Sequence, residues 1–242
     1  MSRSRLAVVA ALGLGLFVVA VDPAAAQASD SATEELIWNL NDQLLYIALP
    51  LTLLVEVILV YTVWRFRDNE RPVPTRENRR LEITWTIATA IILLFVGVIS
   101  YQVLASPFVA ADSPDAGTDV APEDEADLLE VRVVAQTYAW NFEYPEENVT
   151  TQGTMVLPAN RTVRLNVTSQ DWLHALHVPD LGLKRDAFPG QSNYLVTRVY
   201  ETGEYQLYCA EYCGVGHSQM LGTVDVRTPE EFQQWLDENA EG

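Results

Sequence analysis

The segment Tyr208 to Met220 reads YCAEYCGVGHSQM and contains both cysteines of the chain, one of its three histidines and one of its three methionines. Cys209, Cys213, His217 and Met220 follow one another at intervals of four, four and three residues. Thiolate, imidazole and thioether are soft donors that suit copper or iron better than magnesium or calcium, and zinc seldom recruits methionine. A disulfide between the cysteines would close only a small loop, with modest stabilisation. Methionine alone is ordinary core packing, and a lone histidine is an ordinary surface residue, but their joint occurrence at this spacing points to one site. A second imidazole is needed, and the stretch Gln170 to Pro179, QDWLHALHVP, offers His174 and His177. Two thiolates bridging two metals, with one histidine on each and weak axial ligands, would delocalise one unpaired electron. Such a centre moves charge with little reorganisation.

Donors from two distant segments have to be brought together by a scaffold, and residues 129 to 227 supply one. Val131 and Val133 alternate with polar neighbours, as do Val163, Leu165 and Val167, and again Tyr205 and Leu207. This period of two, broken by turn signals at Pro145, Gly153, Pro158 to Asn160, Gly190 and Thr202-Gly203, predicts seven or eight short strands in a β-sandwich. Thr228-Pro229-Glu230-Glu231 is a capping box with proline at the first helical position. It predicts an amphipathic helix to about Asn239 as a surface lid within residues 228 to 242.

The first half of the chain belongs to a membrane. Arg3 and Arg5, an apolar stretch from Leu6 to Val21 and the run Ala24 to Ala26 read as a secretory signal over residues 1 to 26. After a short extracytoplasmic N-terminus, 27 to 43, two apolar runs, Leu44 to Trp64 and Ile83 to Leu104, are each long enough to span as helices, so 44 to 104 is a transmembrane hairpin. Between them lie arginines 65, 67, 71, 76, 79 and 80, whereas residues 111 to 130 carry eight acids and no base. The arginine-rich loop is therefore cytoplasmic, and everything after Leu104 is exported. Residues 105 to 128 form an acidic linker. Glu56 sits in the first span at a cost of ~2.5 to 3.5 kcal/mol on insertion scales, which predicts that it faces protein rather than lipid.

Charge narrows the function further. The 242 residues carry 33 acids against 15 bases, a net charge of −18, which excludes a chain that must neutralise nucleic-acid phosphates. Its single lysine, Lys184, and its acidic surface fit a high-salt environment, where self-repulsion is screened.

With these residues in view, Cys209-Ala-Glu211-Tyr-Cys213-Gly-Val-Gly-His217-Ser-Gln-Met220 resembles the binuclear copper A motif of cytochrome c oxidase subunit II, C-x-E-x-C-x3-H-x2-M. The resemblance extends over the helical hairpin, the aromatic stretch after the linker, the D-x-x-H segment ending in Val-Pro, and the run Leu181 to Gly190. It implies a cupredoxin-like Greek-key sandwich in which Cys209 and Cys213 bridge two copper ions, His174 and His217 bind one each, Met220 binds axially, and Glu211 ligates through its carbonyl. His174 is chosen over His177 because the family's ligand lies five residues before the proline of the Val-Pro pair, here Pro179.

The same resemblance implies a magnesium ion shared with subunit I, held by the Glu211 side chain near Asp186. It implies that Glu82 lies at the entrance of a proton channel in that partner. The aromatic run around Tyr138 and Trp140 resembles the patch through which the family accepts electrons, with Tyr138 where a tryptophan is usual. The implied function is that of subunit II of an aa3-type oxidase. It takes single electrons from an extracytoplasmic carrier, a cytochrome c or a blue-copper protein. These pass to the haems and copper B of subunit I, where oxygen is reduced to water with proton translocation, subunit III being a further partner. A copper chaperone of the Sco type would lack the local histidine and methionine, and a quinol-oxidase subunit would have lost the ligands. Nitrous-oxide reductase would need a second, histidine-rich copper domain that three histidines cannot furnish.

Overall fold

Ser31 opens the described part of the chain with a helix cap: its side-chain oxygen accepts from Glu34 N at 3.1 Å. Helix α1 then runs from Ala32–Phe66 and α2 from Arg79–Leu104, the latter capped by Asn78. The computed structural model describes residues 29–74, 76–110 and 128–240. The signal expected at 1–26 and most of the expected linker lie outside them.

Both helices are long and apolar enough to cross a membrane. At 35 residues α1 is about 50 Å long, well beyond the ~30 Å of hydrocarbon, so it extends past the bilayer on its own axis. It starts at Ala32, whereas the apolar run starts at Leu44, and the reason is tertiary. Ser31 Oγ donates to Leu181 O at 2.7 Å, Tyr200 N donates to Asp30 O at 2.8 Å, and Ser31 bridges to Val199. These contacts tie the first turn of α1 to the C-terminal domain. Half-buried Leu36, Leu40, Leu44 and Ile47 recur at helical spacing on the upper part of α1, but every residue from Pro50 to Phe66 is exposed. Glu56, expected to face protein, is exposed on this stretch in the single chain.

The C-terminal domain is a sandwich of two five-stranded sheets, so the expected combination of a helical hairpin with a cupredoxin-like β-sandwich is what the chain adopts. One sheet has the order β3-β2-β1-β5-β8, built from Leu129–Gln136 (β1), Ala139–Tyr144 (β2), Val149–Gln152 (β3), Thr162–Ser169 (β5) and Asn193–Arg198 (β8). The other has the order β4-β10-β9-β6-β7, built from Thr154–Pro158 (β4), His174–Val178 (β6), Leu183–Ala187 (β7), Gly203–Cys209 (β9) and Leu221–Arg227 (β10). Pairing is antiparallel except for β1 with β5 and β4 with β10.

Ten strands replace the seven or eight expected, partly because Gly153 hides a crossover. At φ +80° it carries the chain from β3 in one sheet to β4 in the other, a conformation that glycine adopts without steric cost. Its N–H donates to Trp140 O and its carbonyl accepts from Thr223 N, both at 2.9 Å, so it bridges the sheets. Inward-facing Val131, Val133, Phe142 and Leu165 meet Leu157, Leu176, Leu207 and Val224 in the core, all at or below 1% exposure.

The capping box forms as expected: Thr228 and Glu231 bond reciprocally at the start of α3, Pro229–Asn239. The helix is less a lid than a plug. Phe232, Trp235 and Leu236 are buried, and the two aromatics pack against Tyr144 with ring centroids 6.5 and 5.2 Å away. Tyr144 Oη in turn donates to Val156 O and accepts from Val156 N, each at 2.8 Å, which pins β2 to β4.

Candidate metal centre

The donors meet at one end of the sandwich, where three elements of the second sheet terminate. Cys209 is the last residue of β9, His174 the first of β6, and Met220 immediately precedes β10. Backbone bonds fix these ends to one another: Cys209 N donates to Met220 O at 3.0 Å and Ala210 N to Ala175 O at 2.9 Å. Between them the chain makes a loop that closes with a single 3-10 turn, His217–Gln219.

Cys209 Sγ lies 3.8 Å from His174 Nδ1 and 3.2 Å from the Glu211 carbonyl oxygen. Cys213 Sγ lies 3.6 Å from His217 Nδ1 and 3.8 Å from Met220 Sδ. The two sulfurs are 3.9 Å apart and unbonded. Each thiol therefore has one imidazole beside it, and the ligand atoms of His174, Cys209 and Cys213 all lie within 4.8 Å of one another. His174, Cys209, Cys213 and Met220 are buried, which keeps water from the sulfurs.

The donor set fits copper. Three sulfurs, two imidazole nitrogens and one carbonyl are soft or borderline donors. Burial and the neighbouring Cys209 push the Cys213 thiol up to about 11, because a second thiolate at this distance would repel the first. Only a cationic centre between them makes the doubly deprotonated pair favourable.

Asp171, to which the sequence reading assigned no role, holds this end together. Its Oδ1 pairs with His174 Nε2 at 2.9 Å and accepts from Trp172 N at 2.7 Å. Its Oδ2 accepts from Thr137 N at 2.8 Å and from the Thr137 hydroxyl. Partial burial raises its pKa, but the bonds from His174, Trp172 and Thr137 outweigh this and hold the carboxyl below its usual range. With Nε2 engaged, His174 presents Nδ1 to the thiol. The available signal was an aspartate three residues before a histidine; its other partner, Thr137, is 34 residues away.

Tyr138 is half-buried and its ring lies over the loop. A Cβ on Gly214 would come within 2.6 Å of the Tyr138 hydroxyl, and one on Gly216 would overlap the ring itself. Both positions therefore require glycine, and Gly214 is also at φ +127°. Trp140 lies deeper: it is wholly buried and meets the His174 ring edge-on at 6.3 Å, so no external carrier can touch it.

Other expected positions fall around the centre. His177 points away from it, edge-on to Tyr208 at 4.9 Å and opposite Lys184 on β7. Burial and that lysine hold its pKa below the usual value. Asp186 pairs with Ala175 across the strands, Ala175 O accepts from Ala210 N, and the Asp186 and Glu211 side chains are both exposed. Glu82 is exposed in the first turn of α2, far along the chain from the sulfurs.

Two family models match the chain: cytochrome c oxidase subunit II, transmembrane domain, over residues 22–103, and cytochrome c oxidase subunit II, periplasmic domain, over residues 147–226. The chain is 32% identical over 225 residues to the probable cytochrome c oxidase subunit 2 of Rickettsia bellii, covering 84% of this chain and 78% of that one. It is 30% identical over 252 residues to cytochrome c oxidase subunit 2 of Cereibacter sphaeroides, covering 88% and 78%. The crystal structure of the periplasmic domain of the Bradyrhizobium japonicum oxidase subunit II aligns with 47% of this chain and 94% of that one, at 26% identity and a TM-score of 0.45. The two family models and the two relatives, which run through both halves of the chain, show that it belongs to the cytochrome c oxidase subunit II family, as a subunit of a haem-copper terminal oxidase.

Proposed function

We propose that this chain is the electron-input subunit of an aa3-type oxidase, with His174, Cys209, Glu211, Cys213, His217 and Met220 holding a binuclear copper A centre. The observation that carries the reading is the placement of one imidazole beside each of two unbonded, buried thiols. Copper held by these residues would supply a one-electron acceptor.

The chain's own residues make that acceptor fast and selective. Asp171 orients His174, the strand ends fix the cysteines, and burial excludes water, so little has to move when charge changes. Tyr138, over the loop, accepts electrons from an extracytoplasmic carrier, a cytochrome c or a blue-copper protein, and buried Trp140 lies on the inner side of the path. Residues 129–227 form the copper domain, exported beyond the membrane because the arginine-rich loop between the helices stays in the cytoplasm. Glu211 and Asp186 offer carboxylates to a magnesium ion at the boundary with subunit I. Glu82, at the cytoplasmic start of α2, lies at the entrance of that subunit's proton channel. Subunit I holds the haems and copper B, where oxygen is reduced with proton translocation, and subunit III completes the assembly.

An affinity-tagged chain isolated from its source membrane tests this reading. It is expected to bring haem and copper with it and to consume oxygen when a reduced carrier is supplied. A Cys213→Ser variant is expected to assemble and keep its haem but to lose carrier-driven oxygen uptake. Normal uptake by that variant would refute the reading.

A further inference from the structure

Three of the chain's ten asparagines, Asn148, Asn160 and Asn166, have a threonine two residues on and a residue other than proline between, and all three fall in the C-terminal domain. Asn-x-Thr is the acceptor pattern for an N-linked oligosaccharide on an exported protein, where it has to lie in a surface loop. The pattern demands a hydroxyl at its third position, so a transferase acting on the folded chain must reach both the asparagine amide and that hydroxyl. The structure separates the three asparagines on this ground.

Asn166 lies in the middle of β5, with Arg132 of β1 and Tyr194 of β8 as its register partners. It is half-buried, and Thr168 is 8% exposed. Asn160 is exposed in the turn from β4 to β5, but its Nδ2 donates to Tyr200 O at 3.4 Å. Thr162, 3% exposed, has its hydroxyl oxygen taken by Arg198 Nη2 at 2.7 Å. That turn also abuts the docked start of α1, because Asn160 N donates to Val199 O at 2.7 Å and Tyr200 N to Asp30 O at 2.8 Å.

Asn148 differs on each count. It ends the turn Pro145 to Asn148, and both it and Thr150 are exposed. Its φ of +56° is left-handed backbone that asparagine adopts more readily than most residues. Thr150 sits on β3, the edge strand at the opposite side of its sheet from β8, four strand spacings or about 19 Å away. The six-residue strand β2 leads from Tyr138, over the metal loop, to Tyr144, about 20 Å along its length. An oligosaccharide on Asn148 therefore clears both the metal centre and the docked hairpin.

We propose that Asn148 carries an N-linked oligosaccharide, added to the folded domain by a membrane-bound transferase from a polyprenyl-phosphate-linked donor. This rests on the export of the domain proposed above. The Asn148 amide nitrogen bonds to the anomeric carbon of the sugar, and the bond from that carbon to the lipid phosphate breaks. The phosphate leaves on its lipid and the amide gives one proton to the transferase, with nothing oxidised or reduced. Asn160 and Asn166 stay bare. The turn Pro145 to Asn148 is then a face that the assembled oxidase leaves to solvent.

The test uses the full-length chain, with a C-terminal tag, purified from its source membrane and analysed by mass spectrometry. Tryptic peptide 133–161, fragmented by electron transfer, should carry a sugar mass on Asn148 and none on Asn160, and peptide 165–184, which holds Asn166, should carry none. Thr150→Val, at an exposed strand position that valine suits, should lose the added mass, and Thr150→Ser should keep it. Three results would overturn the proposal: a bare Asn148 in the wild type, sugar on Asn160 or Asn166, or a Thr150→Val chain that keeps the added mass. An impermeant antibody should reach the tag on intact spheroplasts; a tag reached only after lysis would sink the export reading itself, whereas a reachable tag with a bare Asn148 would sink the proposal alone.

Discussion

Replacing Asp171 with asparagine should cost nearly as much as replacing it with alanine. The reason lies in what its two oxygens face. Oδ1 meets His174 Nε2 and accepts from Trp172 N, and Oδ2 accepts from Thr137 N and its hydroxyl. An amide keeps only one acceptor oxygen, so in either orientation its NH2 group points at a donor. If the oxygen stays with Thr137, His174 loses the partner of a buried nitrogen; if it turns to His174, the Thr137 amide is opposed. One unsatisfied buried donor costs about 1–3 kcal/mol. Loss of the group that orients a metal-binding histidine lowers metal affinity by about 10- to 100-fold, which at ~1.4 kcal/mol per tenfold is the same range. Copper affinity measured by competition against a chelator should therefore fall about 10- to 100-fold in both variants, with the asparagine variant no better than about threefold above alanine. Wild-type copper affinity in Asp171→Asn would refute the claim that this carboxylate positions His174.

Three further outcomes follow from the geometry. Gly216→Ala places a methyl group into the Tyr138 ring and should destabilise the loop by about 1–3 kcal/mol; Gly216→Ala combined with Tyr138→Ala should recover most of that, read by thermal unfolding. Tyr144→Phe leaves both Val156 N and Val156 O without their buried partner and should lower stability by about 1–3 kcal/mol; an unchanged melting temperature would contradict the pinning of β2 to β4. Because the folded-state pKa of Asp171 is depressed, its contribution to stability is present above the ordinary carboxylate range and is lost as pH falls through the lowered value. The melting-temperature gap between the metal-free wild type and Asp171→Ala should accordingly shrink on acidification, and a gap that widens would reverse the sign of the argument.

What the sequence discloses and what it hides divide along contact range. Cys209, Cys213, His217 and Met220 are legible because the loop that carries them is local, and the strands flanking it alternate plainly. The Asp171 hub is hidden because it is completed by Thr137 from the other sheet, and Gly216 is explained only by a tyrosine more than seventy residues earlier. The start of α1 at Ala32 is similarly obscure: Asn39, Asn41 and Asp42 dilute the apolar pattern, and the helix is extended by the docking of Ser31 on Leu181 and Val199. Crossover residue Gly153 reads as a turn in sequence, yet which sheet each neighbouring strand joins depends on pairing with β2 and β10, far apart in the chain.

We propose that the two thiols, each with one imidazole, hold a shared pair of copper ions. Electron paramagnetic resonance of the copper-loaded full-length chain, with metal stoichiometry on the same sample, tests it most directly. Two coppers per chain and a seven-line hyperfine pattern, from one electron shared equally between two nuclei, are the predicted result. One copper with a four-line pattern, or zinc alone, would contradict it.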